Sequence, residues 1–259
     1  MSTPLMQLHQ VTKSFGPIQV LEGIDLTLHA GKVTALLGDN GAGKSTLIKI
    51  IAGFHRPDTG KIIWEGNDHQ FHESNGPEEA RNLGIATVYQ DLGLVETLSI
   101  ARNFFLGREL TKSVLGIKVL DHQTMEDVAR AKLAEIGIRR QLDPRDPIMG
   151  LSGGERQAVA ISRARHFGAK LLILDEPTSA LSLRQTEQVL SYITAAAKSG
   201  IAVIFITHTL AHIEGIIDNI TILYHGRKVG DYLPKDVNHD QVSSLITRGE
   251  ITGVQHAHK

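Results

Sequence analysis

Residues 38–46 read Gly38-Asp39-Asn40-Gly41-Ala42-Gly43-Lys44-Ser45-Thr46, which fits the spacing G-x-x-x-x-G-K-[ST]. Glycines in such a loop let the backbone curl until successive N–H groups converge on an anion. Lys44 adds a point charge for the outer phosphates, and the Ser45 hydroxyl is a ligand suited to magnesium. The expected chemistry is the grip of a triphosphate. A second group follows the apolar run Leu171–Leu174, which ends in Asp175 and Glu176. Asp175 at a strand end suits a metal, and Glu176 could polarise a water for attack on a γ-phosphate. The third group is Leu151-Ser152-Gly153-Gly154-Glu155-Arg156-Gln157, ahead of a helical run to Phe167. Ser152 reads as an N-cap, and the glycines leave N–H groups open at a second helix start. Two anion-binding helix starts in one chain suggest opposite faces of a dimer.

The elements that would position these groups are legible as well. Val33–Leu37 is an apolar strand before the loop, and Ser45–Ala52 reads as a helix stopped by Gly53. Residues 5–31 alternate as short strands around a turn at Gly16-Pro17. Further strands are expected at Ile85–Tyr89, Leu171–Leu174, Val203–Thr207 and Ile220–Leu223, with a hairpin turn in Tyr224–Val229. The helix expected at Gln185–Ala197 puts Val189, Leu190 and Ile193 on one face. Strands alternating with helices predict an α/β core around a parallel sheet. Over residues 91–167 strand signals fade. Met125, Val128, Ala129, Leu133 and Ile136 follow helical spacing, with Thr124 and Asp127 as the expected cap. This stretch reads as a helical insert, and residues 249–259 as a loose polar tail.

The chain has 259 residues, a hydrophobic fraction of 41% and a net charge of −1. That balance builds a core and excludes a global basic field for nucleic acid. There is no cysteine, so disulfides and thiolate metal sites are excluded. No signal peptide is read at the N-terminus, and no apolar run approaches the roughly 20 residues that cross a bilayer. A role at a membrane would be played from its aqueous side. Of the 13 histidines, His55, His69 and His72 read as solvated, and His256 and His258 fall in the tail.

Taken together, the motifs resemble the ATP-binding cassette (ABC) ATPases over nearly the whole chain. The stretch 151–157 matches that family's signature as it stands. Gln90 falls where the family has its Q-loop glutamine, His208 where it has its switch histidine, and Phe15 where an aromatic stacks on adenine. The resemblance implies a phosphate-loop nucleotide-binding core with an N-terminal antiparallel β subdomain and an inserted α-helical subdomain. The implied limits are 1–90 and 159–248 for the core and 91–158 for the insert. It implies ATP and Mg2+ as cofactors, with the metal on Ser45, Gln90 and Asp175. Glu176, His208, Lys44 and Gln90 would be catalytic. Phe15 and residues 38–46 of one copy would hold ATP together with Ser152, Gly153, Gly154 and Gln157 of a second copy, as a head-to-tail homodimer. One departure is Ser182, where many members carry an aspartate that helps couple the two sites.

Gly38–Gly43, Val88–Asp91, Asn103–Arg108 and Ser179–Gln185 resemble the single-cassette bacterial monosaccharide importers. That resemblance implies integral-membrane permease subunits, an extracytoplasmic sugar-binding protein met indirectly, and a place on the cytoplasmic face of the membrane. Residues 92–103 are then expected to line the groove that receives a permease helix. The alternatives are an importer of another solute, such as an amino acid, or a soluble ABC ATPase outside transport.

Overall fold

The computed structural model describes residues 3–135, 142–179, 181–208 and 213–250. Strand β1 (Met6–Phe15) turns at Gly16-Pro17 into β2 (Ile18–Leu28), with Phe15 paired to Ile18. Gly16 supplies the positive φ of +58° that this two-residue turn needs. Strand β3 (Val33–Leu37), wholly buried, leads through the glycine-rich loop into α1 (Lys44–Ile51). Strands β4 (Thr59–Trp64) and β5 (Asn67–His69) follow, then α2 (Gly76–Leu83) and β6 (Ile85–Val88). Next come α3 (Ile100–Phe104), the hairpin β7 (Thr111–Val114) and β8 (Ile117–Leu120), α4 (His122–Glu135) and α5 (Gly153–His166). The chain closes with β9 (Leu171–Asp175), α6 (Leu183–Lys198), β10 (Ala202–Ile206), β11 (Asn219–Tyr224), β12 (Arg227–Tyr232) and α7 (His239–Arg248).

The chain groups into two compact units. The first takes residues 1–87, 169–176 and 194–259, and the second takes 88–168 and 177–193. In the first, β2-β1-β4-β5 form an antiparallel sheet and β12-β11-β3-β10-β9-β6 a six-stranded one. β10 runs parallel to both β3 and β9, and β11 parallel to β3. Every residue of β3 and β10 is buried, as continuous apolar strands covered on both faces should be. The fold is thus the α/β core with a parallel sheet and an antiparallel β subdomain that the sequence leads one to expect. The hairpin turn expected within Tyr224–Val229 is present, with Tyr224 opposite Arg227.

The second unit is built on Ile100, Phe104, Phe105, Met125, Ala129, Leu133, Ile148 and Val159. Met125, Ala129 and Leu133 are the buried stripe of α4, at the spacing expected. Two readings change here. The hairpin β7–β8 stands within the stretch that reads as helical, and it escapes that reading because its two strands are only four residues each and almost wholly exposed. The expected cap from Thr124 and Asp127 is replaced by Asp121. Its carboxylate accepts from the Thr124 hydroxyl at 2.8 Å, and α4 starts at His122, so Thr124 is already inside the helix. Ile136 and the expected loose tail, apart from Gly249 and Glu250, lie outside the described residues.

Candidate active site

Sheet register brings the chemistry to one edge of the first unit. Ile206 of β10 stands opposite Leu36 on one side and Asp175 on the other. The glycine loop starts two residues after Leu36, Glu176 follows Asp175, and His208 lies two residues past Ile206. Parallel strands therefore deliver all three groups at their carboxyl ends, where open α/β sheets bind ligands.

In the loop, Gly38 has a φ of +157°, and a Cβ there would lie 2.6 Å from the Leu223 carbonyl oxygen. Gly43 is left-handed at +99°, and a Cβ would meet Leu21 at 2.7 Å. Both positions admit only glycine. Gly43 is also the N-cap of α1, and no side chain caps that start. Its first-turn N–H groups thus have no side-chain oxygen to bond, which suits an anion. Asp39, Asn40, Gly41 and Ser45 are exposed, Lys44 and Thr46 half-buried, and Ala42 buried. The Lys44 ammonium donates to the carbonyls of Gly38 at 2.7 Å and Asp39 at 2.9 Å. Burial lowers its pKa, while the charges of Glu176, Asp39 and Asp175 work the other way.

Asp175 is half-buried, and burial first, then the charge of Glu176, pushes its carboxyl up, with Lys44 opposing. Glu176 Oε1 lies 2.8 Å from His208 Nδ1. Glu176 holds a left-handed φ of +46°, fixed by its own N–H donating to the Ile206 carbonyl at 3.0 Å. Such a backbone costs a non-glycine residue about 1–2 kcal/mol, and strain of this kind gathers at functional sites. Phe15 sits at the end of β1, 44% exposed, with the His55 ring edge-on at 5.3 Å.

The second unit carries the remaining residues. Ser152 caps α5: its Oγ accepts from the Glu155 N–H at 3.3 Å, and the Glu155 carboxylate accepts from the Ser152 N–H at 2.8 Å. The hydroxyl thus accepts within the helix. A Cβ on Gly154 would lie 3.3 Å from that of Gln185, and one on Gly153 2.7 Å from the end of Leu181. Gln157 is only 5% exposed, with no partner for its Oε1, so it does not share the surface position of Ser152. Gln90 is exposed beyond β6.

Within 92–103, Leu94 and Leu98 are half-buried and Val95 is exposed. Asn103 is fully buried instead of lining a surface. It bonds the backbone of Val95, Leu98 and Ser99 and so moulds the loop. That loop is tied to the stretch before α5. Met149 N donates to Glu96 O, Ile148 N to Leu98 O, and Arg156 reaches Glu96, Met149 and Leu151. Sequence reasoning missed Asn103 in this role and the Glu96–Arg156 link, since neither has a local signal.

The ABC transporter family profile matches residues 21–179. The chain is 40% identical over 243 residues to the xylose/arabinose import ATP-binding protein of Sulfolobus acidocaldarius, covering 94% of each. It is 40% identical over 247 residues to the fructose import ATP-binding protein of Rhizobium meliloti, again covering 94% of each. It is also similar to the ribose import ATP-binding protein of Yersinia pestis, at 37% identity, spanning 46% of that longer chain. Among solved structures, an ATP-binding cassette of an ABC transporter superposes with a TM-score of 0.80 at 23% identity, over 94% of this chain and 97% of that one. The cassette cbiO1 of Clostridium perfringens gives 0.73 at 26% identity, over 90% of each chain.

Proposed function

We propose, for a chain that belongs to the ABC transporter family of ATP-hydrolysing proteins, that it energises the import of a monosaccharide. One observation carries this reading. The uncapped start of α1, Lys44 and the Asp175–Glu176–His208 group meet at one sheet edge. They do so in a chain similar over 94% of its length to two sugar-import subunits.

The N–H groups of the loop and α1, with Lys44, bind the β- and γ-phosphates. Phe15 stacks on the adenine. Mg2+ fits the residues present. No group of three His, Asp or Glu among the described residues could cage a metal, and Mg2+ takes one or two protein ligands together with substrate phosphates. Asp175, pushed up by burial and by Glu176, is a carboxylate that a cation would relieve. Ser45, Asp175 and Gln90 would hold the ion, which supplies charge neutralisation at the phosphate oxygens. Glu176 takes a proton from water as the water oxygen bonds to the γ-phosphorus and the bridging oxygen leaves with its electron pair. His208 orients that carboxylate and the γ-phosphate.

A second copy completes each site head to tail, through the Ser152 hydroxyl and the N–H groups of Gly153 and Gly154. Closing around ATP and opening after hydrolysis is then a population shift driven by γ-phosphate contacts. Residues 92–103 receive a permease helix at the cytoplasmic face of the membrane, and the loop's bonds to Met149 and Arg156 support transmission to the signature helix. A sugar-binding protein on the far side delivers the cargo. Net charge −1 supports no nucleic-acid role.

The test is uptake of labelled xylose, arabinose, fructose and ribose in a source strain lacking this chain. Loss of one uptake, restored by the wild type and not by Glu176→Gln, supports the reading. Unchanged uptake of all four removes the sugar assignment.

A further inference from the structure

The last residues of β1 are held by the segment that leaves α1. The Asp58 N–H donates to the Thr12 carbonyl at 2.9 Å, and its carboxylate accepts from the Lys13 ammonium at 2.7 Å and the Ser14 N–H at 2.6 Å. The Thr12 and Thr59 hydroxyls meet at 2.8 Å. Those two carboxylate bonds, the one from Lys13 first, hold the Asp58 carboxyl below the usual range. Lys13 and Phe15, two apart on a strand, share a face. The ammonium that Asp58 holds stands 5.6 Å from the centroid of the Phe15 ring. The His55 ring meets Phe15 edge-on at 5.3 Å, an arrangement aromatic pairs favour. An exposed phenyl ring is thus fixed by a cation and an imidazole before anything binds. Helix α1 begins at the phosphate loop and ends just before His55 and Asp58. Its eight residues span roughly 12 Å, so one rigid element sets both ends of a nucleotide site.

We infer that Asp58 and His55 are positioning residues for base recognition, holding the Phe15 ring in its stacking orientation through Lys13, Ser14 and direct ring contact. This rests on the reading of Phe15 as the adenine partner. Fixing the ring in advance removes an ordering cost that would otherwise be charged to binding of the base alone. The phosphate end gains nothing from it.

The experiment compares affinities of the full chain for MgATP and for magnesium tripolyphosphate, which offers phosphates and no base. Asp58→Ala and His55→Ala should each weaken MgATP about three- to tenfold and leave tripolyphosphate unchanged, and His55→Phe should restore MgATP binding. Phe15→Ala is the reference. If it leaves the ratio of the two affinities unchanged, the reading of Phe15 fails and the inference with it. If Phe15→Ala lowers the ratio while Asp58→Ala and His55→Ala do not, the inference alone is overturned. Equal loss of both ligands in the Asp58 and His55 variants, a general structural effect, overturns it as well.

Discussion

His208 Nδ1 and Glu176 Oε1, 32 residues apart in sequence, lie 2.8 Å from each other at the ends of adjacent parallel strands. The pair fixes the direction of the Glu176 carboxylate, the group proposed to take the water proton. Glu176→Gln keeps the shape of the side chain but removes the proposed base. Turnover should fall by about 10²–10⁴-fold, the range a positioned general base supplies. ATP affinity should hold. Steady-state phosphate release beside equilibrium binding checks this, and turnover within a few-fold of wild type removes the assignment.

Asp175 carries a stability cost with a definite pH signature. Its native pKa is raised, by burial first and then by Glu176, so the folded chain holds this proton more tightly than the unfolded chain. Below the ordinary aspartate value of 3.8 both states are protonated and the favourable contribution is complete. It is lost as pH rises through the native value. Asp175→Asn should therefore raise the melting temperature of the nucleotide-free protein at pH 7 and shift it much less at pH 3.5. An equal shift at both values would show that the carboxyl charge is not the cause.

Ser182 has a local role that explains why a hydroxyl suffices there. Its Oγ accepts from the Gln185 N–H at 3.4 Å, and the Gln185 side-chain oxygen accepts from the Ser182 N–H at 3.0 Å. This reciprocal cap starts α6. Ser182→Ala should cost about 1 kcal/mol, while Ser182→Asp, also a good N-cap, should be close to neutral. Denaturant titration separates the two, and equal destabilisation would count against the cap.

Asn103 makes four bonds to the backbone of the 95–99 loop with no exposure to solvent. Asn103→Ala takes the acceptor from the Val95 N–H and one of two donors from the Val95, Leu98 and Ser99 carbonyls, which keep the N–H groups of Leu98, Ile148 and Asn103; one part-buried N–H left unpaired costs about 1–3 kcal/mol. We expect a loss of stability at the upper part of that range, and an uptake defect larger than the ATPase defect. ATPase and uptake falling in proportion would separate this loop from permease contact.

What could be read in the sequence followed the range of the interactions. The loop at 38–46, the apolar strands and the Ser152 cap were legible because each rests on neighbours within a few residues. The β7–β8 hairpin was not, since four-residue exposed strands carry no buried periodicity. The cap of α4 was misplaced although Asp121 stands three residues before Thr124, a signal open to reading. Glu176 with His208, and Asp58 with Lys13, meet only through the fold, across 32 and 45 residues, and no local pattern announces such pairs.

The left-handed backbone of Glu176 makes this position a record of selection. Glycine would relax it at once, and asparagine would tolerate it better than glutamate does. A population of variants kept only for thermal endurance should drift toward glycine at 176. One kept for growth on the imported solute should hold glutamate against that drift. The residue found at 176 after such a passage would reveal whether the cell had been asking for a durable protein or a working one.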